Sequence, residues 1–259
     1  MLEIKNIYKT FNPGTINEKV ALNGLSLKLN EGDFVTVIGG NGAGKSTMLN
    51  AVAGVWPVDE GQIIIDGTDV TKLSEYKRAA YLGRVFQDPM TGTAATMGIE
   101  ENLALAKRRG KTRFLRSGIT KAEREEYKEL LKILNLGLED RLTSKVGLLS
   151  GGQRQALTLQ KPKLLLLDEH TAALDPKTAA KVLDITDRIV NRDHLTTLMI
   201  THNMKDAIAH GNRLIMMMNG KIILDIQGEE KKKLTVKQLL DKFEEASGEE
   251  FSNDSAILG

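Results

Sequence analysis

The sequence predicts an α/β fold with a mixed sheet, an N-terminal antiparallel β portion and an inserted helical subdomain. Short runs that alternate apolar and polar residues fill the N-terminal part, which is typical of half-buried strands. Longer apolar runs further along the chain are typical of strands that are buried on both faces. The charge-rich stretch 88–160 instead places apolar residues at helical spacing, so we interpret it as the inserted subdomain.

Apolar runs mark the predicted strands in chain order. Residues 2–5 and 25–29 alternate with a period of two, whereas 34–38 is continuous and ends at glycines. The pair Asn219-Gly220 is a hairpin signal that joins the last two runs. We predict strands over 2–5, 25–29, 34–38, 62–67 with its turn, 164–167, 195–200, 214–218 and 222–224.

Capping residues mark the starts of the predicted helices. Thr120 and Glu123 form a capping box, and Asp175 followed by Pro176 has the residue types of an N-cap and a first helical position. Thr235 caps a short final helix, and we expect the tail after about 247 to be loose. The buried faces of the first two helices are predicted to contain Tyr127, Leu130, Leu131 and Leu134, and Val182, Ile185 and Ile189, respectively.

Composition excludes several function classes. The 259 residues include 36 basic and 34 acidic side chains, a net charge of +2, which argues against a wide basic surface for nucleic acid. The absence of cysteine excludes disulfides, thiolate metal sites and cysteine nucleophiles. No run approaches the ~18 apolar residues of a membrane span, and the first residues lack a secretory signal pattern. We therefore expect a soluble, cytosolic chain.

A glycine-rich motif over 39–47 lies between a predicted strand and a predicted helix over 48–53. It matches G-x-x-x-x-G-K-[ST], in which backbone N–H groups and a helix N-terminus bind phosphate. We expect Lys45 to reach the outer phosphates and Ser46 to bind Mg²⁺, and the flanking strand and helix argue against an ordinary glycine-rich turn. The predicted nucleotide contacts are Gly39, Asn41, Gly42, Ala43, Gly44, Lys45, Ser46 and Thr47.

Two carboxylates follow the apolar run 164–167. Ligands of open α/β sheets bind at the carboxyl ends of the strands, where Asp168 and Glu169 are expected. We expect Asp168 to hold Mg²⁺, directly or through water, and Glu169 to polarise a water for in-line attack on the γ-phosphate. An acidic pair that merely ends a strand is the alternative, and the phosphate-binding motif makes it the weaker interpretation.

A third motif, Leu-Ser-Gly-Gly-Gln over 149–153, begins a helix with Ser150 as N-cap and could bind an anion. With the three motifs in this order, the chain resembles the ATP-binding-cassette (ABC) ATPases over residues 2–226. The resemblance implies a P-loop NTPase core with a RecA-like mixed sheet, and ATP and Mg²⁺ as cofactors. The corresponding division is a core over 1–87 and 161–226, a helical subdomain over 88–160, and a C-terminal helix and tail over 227–259.

The resemblance also implies roles for further residues. Phe11 would stack on adenine, although a packed aromatic in an N-terminal hairpin is the alternative. Gln87 would contact the metal and sense the γ-phosphate, and His202 would contact the γ-phosphate, so that the catalytic set is Glu169, His202 and Gln87. Contacts across to the partner subunit and its nucleotide would come from Ser150, Gly151, Gly152, Gln153 and Asp175.

The resemblance implies that two cassettes pair head-to-tail around two ATP molecules. The expected partners are a second copy or a homologous ABC subunit, transmembrane permease subunits docked near Gln87 and an extracytoplasmic substrate-binding protein, with no nucleic acid. The implied chain is a peripheral ATPase subunit on the cytoplasmic side of the membrane, in a bacterial importer of amino acids or related small solutes. A soluble ABC ATPase of translation or DNA maintenance is the alternative, and Glu169 argues against a regulator that does not hydrolyse ATP.

The chain departs from the family pattern between Gln153 and Asp168, where about five residues are missing, or ~7.5 Å of helix. Either the helix after the third motif is shortened and repacked, or the natural chain contains residues that this sequence lacks. We favour the second interpretation, which an intact mass of 28.5 kDa would contradict.

Two smaller features concern basic side chains. His170 stands where the family usually has proline, a substitution we expect to be tolerated, and we expect His170, His194 and His210 at the surface. The basic run 107–116 is expected to be a solvated face, and contact with anionic lipid is the alternative.

Overall fold

The computed structural model describes residues 1–110, 118–134, 136–158 and 162–247, without the side chains of 155–158 and 246–247. Its strands are β1 (Leu2–Phe11), β2 (Lys19–Leu29), β3 (Phe34–Ile38), β4 (Glu60–Ile65), β5 (Thr68–Asp69), β6 (Leu82–Val85), β7 (Leu164–Asp168), β8 (Thr196–Ile200), β9 (Arg213–Met218) and β10 (Lys221–Gln227). Its helices are α1 (Lys45–Ala53), α2 (Glu75–Arg78), α3 (Ile99–Lys107), α4 (Lys121–Leu134), α5 (Gly151–Thr158), α6 (Pro176–Asp193), α7 (Met204–Ala209), α8 (Gly228–Lys232) and α9 (Val236–Ser247).

The smaller sheet is antiparallel and has the strand order β2-β1-β4-β5, which confirms the predicted N-terminal β portion. Its first two strands are longer than predicted, because register shifts between Ile4 and Thr10 interrupt the alternation of apolar and polar side chains. The pairing continues to Phe11, which lies opposite Lys19. The second half of β1 therefore lacks the strict period-two pattern that predicts a strand.

The larger sheet is mixed, as predicted, with the order β10-β9-β3-β8-β7-β6. Strands β9, β3, β8, β7 and β6 are parallel, and β10 is an antiparallel edge strand. The runs in β3 and β8 are completely buried, as is usual for parallel strands covered on both faces. The carboxyl ends of β3, β8 and β7 therefore lie side by side, which is where ligands of such sheets bind.

Three apolar clusters hold these layers together. The first lies between the larger sheet, α1 and the smaller sheet, and it includes Leu164 and Leu166 of β7. The second lies on the opposite face with α3, α4 and α6, and it includes Leu165 and Leu167. The third joins α7 and α9 to β9. Alternate residues of β7 thus enter different clusters, which explains its unbroken apolar sequence.

The predicted surface position of His170 is wrong. Its side chain is 1% exposed, and its Nε2 lies 3.3 Å from the Oγ1 of Thr186 on α6. The chain turns inward under α6 directly after β7, and burial lowers the pKa of His170 to about 4. His194 is exposed as predicted, whereas His210 is half-buried with its Nδ1 2.7 Å from Asp187.

The expectation of a solvated face is also wrong for the first residues of the basic run. Lys107, Arg108 and Arg109 are half-buried. Lys107 pairs with a glutamate of α4, Arg108 pairs with Glu123 at 3.0 Å, and Arg109 donates to the carbonyl of Leu82 at 3.2 Å. These contacts join α3 to α4 and to β6. The rest of the run, 111–116, lies outside the described residues.

The described part of the helix after the third motif, α5, covers eight residues, Gly151–Thr158, and β7 begins at Leu164. Residues 159–161 and the predicted loose tail from 248 onward lie outside the described part of the chain. The interpretation that the natural chain is longer here therefore remains a prediction. None of the described helices is long and apolar enough to cross a membrane.

Arg78 is almost completely buried and closes the end of α1. Its Nη1 donates to the carbonyls of Ala51 and Val52 at 2.6 and 3.0 Å, near the C-terminus of α1. Its Nε and Nη2 donate to the carbonyls of Leu73 and Thr71 at 2.9 and 2.8 Å. One guanidinium thus donates to carbonyls from two segments, including the last turn of α1, where the N–H of Gly54 also donates to the carbonyl of Ala51.

Replacing Arg78 by Met is expected to destabilise the fold by about 3–5 kcal/mol, because buried carbonyls lose charged donors. Urea unfolding followed by circular dichroism measures the change. The matched control is Arg188→Met, which removes an exposed pair with Asp184 on α6 and should cost about 0.5 kcal/mol or less. Equal stability of the two variants would contradict the capping role of Arg78.

Candidate functional site

The glycine-rich loop between β3 and α1 is packed too closely for larger residues at two positions. Gly39 has a φ of +148°, and a Cβ there would lie 2.2 Å from the carbonyl oxygen of Met217. Gly44 has a φ of +100°, and its Cβ would lie 2.5 Å from the carbonyl oxygen of Ala21. The loop is therefore fixed between β9 and β2, directly before the N-terminus of α1.

Lys45 places a positive charge inside this loop. Its side chain is buried, and its Nζ donates to the carbonyls of Gly39 and Gly40 at 2.6 and 3.0 Å. Burial lowers the pKa of the Lys45 ammonium, and the nearby carboxylate of Glu169 acts in the opposite direction. The Lys45 ammonium therefore stabilises the conformation of the loop, and it can also bind an anion that enters the loop.

The loop opens into a cavity of about 240 Å³, which we name the phosphate cavity after the phosphate-binding pattern of the loop. Its lining residues come from both sheets, from two strand ends and from the start of α1. Most of the predicted nucleotide contacts therefore line this cavity. Gly39 contributes through its carbonyl bond to Lys45. The lining residues are Phe11, Lys19, Ala21, Asn41, Gly42, Ala43, Gly44, Lys45, Ser46, Thr47, Glu169 and His202.

Phe11 packs against a second aromatic residue and also lines the cavity, and its stacking on adenine stays a prediction. Its ring packs edge-to-face against Trp56, with centroids 5.0 Å apart and planes at 81°. The same half-buried ring lines the phosphate cavity at the end of β1. An aromatic surface therefore lies at the cavity wall and is held in place by a second aromatic residue.

Lys19 is a cavity residue that sequence reasoning missed. It lies directly opposite Phe11 in the β1–β2 pairing, and its Nζ is 3.3 Å from the point where a Cβ on Gly42 would lie. A second cation thus lies over the glycine-rich loop. The register of β1 with β2 places Lys19 at the cavity, and the interrupted alternation of β1 made this register unpredictable from the sequence.

Glu169 and His202 form a close pair at the cavity. His202 Nε2 lies 2.5 Å from Glu169 Oε1, and the Glu169 side chain is 11% exposed. Glu169 has a φ of +46°, a conformation that is uncommon outside glycine, and its N–H donates to the carbonyl of Ile200 at 3.0 Å. Such strain is concentrated at functional positions. The pair also borders a second cavity of about 390 Å³ beside α6.

Asp168 is held by a residue that the sequence did not suggest. Its Oδ2 accepts from Nη2 of Arg84 at 2.9 Å, and both side chains are mostly buried. An arginine within an apolar strand is unusual, but its partner could not be predicted from the sequence because the pairing of β6 with β7 was not known.

The donor set fits Mg²⁺ bound together with a nucleotide. Mg²⁺ is usually held by one or two carboxylates plus phosphate oxygens and water. Ser46 offers a hydroxyl at the cavity and Asp168 a carboxylate at the adjoining strand end. Gln87 is exposed, and neither Gln87 nor Asp168 is among the residues that line the cavity. Among the described residues, no cluster of three or more His, Asp or Glu side chains could hold a metal by itself.

The third motif lies elsewhere on the chain and forms a capping box. Gln153 N–H donates to Ser150 Oγ at 3.3 Å, and Ser150 N–H donates to Gln153 Oε1 at 3.1 Å. Gly152 is buried against α6, whereas Ser150 is exposed. The predicted residues Ser150, Gly151, Gly152 and Gln153 do not line the phosphate cavity of their own chain.

Asp175 is also outside that cavity. It is exposed and caps α6, with its Oδ1 accepting from the N–H of Thr178 at 3.1 Å. Hydrogen bonding from Thr178 lowers the pKa of the Asp175 carboxyl. Its prediction as an N-cap is confirmed, and its contact with a partner subunit stays a prediction.

Comparison with known proteins identifies the family. A sequence model described as ABC transporter matches residues 22–172, more than half of the chain. The chain belongs to the ABC transporter family. It is therefore an ATP-binding-cassette ATPase, as the phosphate-binding loop and the resemblance predicted.

The curated relatives of this ABC ATPase include transport proteins. A tyrosine transport ATP-binding protein of Clostridioides difficile (strain R20291) is 46% identical over 256 residues, covering 95% of this chain and 100% of that protein. A methionine import ATP-binding protein of Bartonella henselae is 33% identical over 232 residues, covering 86% of this chain and 64% of that protein. These relatives do not favour the alternative of a soluble ABC ATPase without a transporter.

Solved structures agree with the family and the fold. A dimeric ATP-binding cassette in a post-hydrolysis state, bound to ADP and phosphate, matches with a TM-score of 0.72 and 30% identity. The match covers 88% of this chain and 98% of that one. The predicted P-loop NTPase core is confirmed by this similarity, and that cassette binds nucleotide as a dimer.

Proposed function

We propose that this ABC ATPase drives a bacterial importer of amino acids, with tyrosine or a close analogue as substrate. The observation that carries the proposal is the phosphate cavity, lined by the Glu169–His202 pair, in a chain 46% identical to a tyrosine transport ATP-binding protein along the full length of that protein. The membrane subunits select the solute, so the identity of the substrate depends on them.

We propose that the cavity residues act on ATP as follows. The loop N–H groups and Lys45 bind the phosphates, and Phe11 stacks on the adenine. Ser46, Asp168 and Gln87 would hold Mg²⁺, which would neutralise negative charge on the phosphates.

Hydrolysis in this proposal uses the pair at the cavity edge. The Glu169 carboxylate accepts a proton from the water that attacks the γ-phosphate. His202 keeps this carboxylate in place through their 2.5 Å contact and binds the γ-phosphate as it leaves.

We propose a head-to-tail dimer as the active unit. Ser150 is exposed at the N-terminus of α5 and lies outside its own phosphate cavity, so it is available to the nucleotide of a partner. Asp175 is exposed at the start of α6, beside the second cavity that Glu169 and His202 border. A dimer would complete each cavity with residues that the same chain does not bring to it.

We propose that the chain works at the cytoplasmic side of the membrane as a peripheral subunit. Transmembrane permease subunits would supply the path for the solute, and an extracytoplasmic binding protein would deliver it. The segment after Gln87 presents the exposed side chain of Met90, and Leu148 is exposed as well. In this proposal, these side chains contact the permease subunits.

Uptake of labelled tyrosine tests the substrate. We expect uptake to fall to background in cells that lack this chain and to return with the wild type but not with Glu169→Gln. Unlabelled tyrosine should compete, whereas methionine and spermidine should not. Unchanged uptake in the deletion strain would contradict the proposed substrate. Purified chain without ATPase activity in any assembly would contradict the proposed mechanism.

A further inference from the structure

A guanidinium lies beside the proposed metal-binding carboxylate. Arg84, on β6, donates from Nη2 to Oδ2 of Asp168 at 2.9 Å. The two side chains are 11% and 15% exposed, so the pair is screened little by water. This contact joins the edge strand of the larger sheet to the carboxylate that we assign to Mg²⁺.

The sheet geometry brings the two groups together. β6 and β7 are parallel neighbours, with Arg84 in register with Leu166. Leu82 and Leu166 face the cluster that contains α1, and residues two positions further along a strand share the same face. Arg84 and Asp168 are each two residues further on, so both project toward the side of the sheet that carries α1 and the glycine-rich loop.

The hydrogen bonds of Arg84 are incomplete. Its Nε–H is buried and has no acceptor in the part of the chain that the structure describes. Its guanidinium carbon lies 4.6 Å from the ring centroid of Phe86, which offers a cation–π contact. Arg78, in contrast, uses its donors on four backbone carbonyls. Arg84 therefore does not resemble a purely structural arginine, and its charged partner is Asp168.

We propose that Arg84 is the counter-cation of Asp168 and weakens the affinity of the nucleotide site for Mg²⁺. This inference rests on the proposed role of Asp168. A carboxylate that already pairs with a fixed cation attracts a second cation less, and the two cations repel each other in a partly buried site. Arg84 thus acts through Asp168 as a positioning residue and sets the Mg²⁺ concentration at which the site fills.

The test is Mn²⁺ binding to the full chain loaded with a non-hydrolysable ATP analogue, measured by electron paramagnetic resonance. Mn²⁺ prefers the same oxygen ligands and octahedral geometry as Mg²⁺. We expect Arg84→Met to bind Mn²⁺ about tenfold more tightly than the wild type, because the competing charge is gone. Arg84→Gln keeps a donor without the charge and should tighten binding similarly, whereas Arg84→Lys should stay close to the wild type.

If Arg84 only stabilised the fold, its replacement would not change the Mn²⁺ affinity while leaving the binding of the analogue unchanged. Binding of the analogue in the presence of EDTA should be the same in the wild type and in Arg84→Met. The matched control is Arg213→Met, which removes a pair with Asp225 between β9 and β10 and should leave the Mn²⁺ affinity unchanged.

Two outcomes would contradict the inference, and they are distinguishable. Unchanged or weaker Mn²⁺ binding in Arg84→Met and Arg84→Gln would overturn the role of Arg84 alone. Mn²⁺ affinity in Asp168→Asn equal to that of the wild type would overturn the metal role of Asp168, and with it both proposals.

Discussion

Glu169→Gln is expected to lower ATP turnover by a factor of about 10²–10⁴ while ATP binding is retained. The amide has nearly the shape of the carboxylate, so it can occupy the same place beside His202. It cannot accept a proton from the attacking water. The variant therefore separates the chemical step from nucleotide binding.

The geometry around Glu169 explains why the loss should be large. The residue is fixed at a φ of +46°, and its N–H is bonded to the neighbouring strand end. The carboxylate faces the cavity that holds Lys45 and Ser46. Among the residues that line this cavity, no second carboxylate is present to replace it.

Phosphate release under saturating ATP and binding of a fluorescent ATP analogue measure the two effects. The matched control is Glu229→Gln on α8, an exposed residue paired with Lys232, which should turn over ATP like the wild type. Turnover above one tenth of the wild-type rate in Glu169→Gln would contradict the assignment of Glu169 as general base.

Ser150→Asp is expected to weaken ATP-dependent dimerisation strongly. Aspartate is as good an N-cap as serine, so α5 should still begin at Gly151. The added negative charge would face the phosphates of the partner's ATP. Two like charges about 4 Å apart repel by about 4 kcal/mol near a protein surface, enough to weaken a dimer by at least about 100-fold.

The dimer affinity is measured by analytical ultracentrifugation with ATP in the Glu169→Gln background. Ser74→Asp supplies the matched control, because Ser74 is an exposed N-cap at α2 and does not line the cavity. It should dimerise normally. If Ser150→Asp dimerises with normal affinity, the third motif does not face the partner's nucleotide.

The phosphate loop and the strand before it could be predicted because their signals are local. The motif, the apolar run of β3 and the capping residues each lie within a few positions of one another. The same holds for Asp175 and Thr235, whose capping bonds are formed in the structure. Local hydrogen bonding and burial periodicity decide such features before tertiary packing does.

The residues that sequence reasoning missed depend on contacts between distant segments. Arg84 meets Asp168 only through the pairing of β6 with β7, and Lys19 meets the glycine-rich loop only through the register of β1 with β2. His170 is buried because α6 covers it, and the local sequence around His170 does not predict this contact. Register and layer packing are tertiary properties, so a polar residue in a strand has no assigned partner until the sheet order is known.

In the proposed dimer, one chain supplies an incomplete ATP site that a second cassette completes. The direct test is the mass of Glu169→Gln in solution, measured by light scattering with and without ATP. We expect twice the mass of one chain with ATP and the mass of one chain without it. The mass of a single chain at saturating ATP, with ATP binding intact, would contradict this proposal.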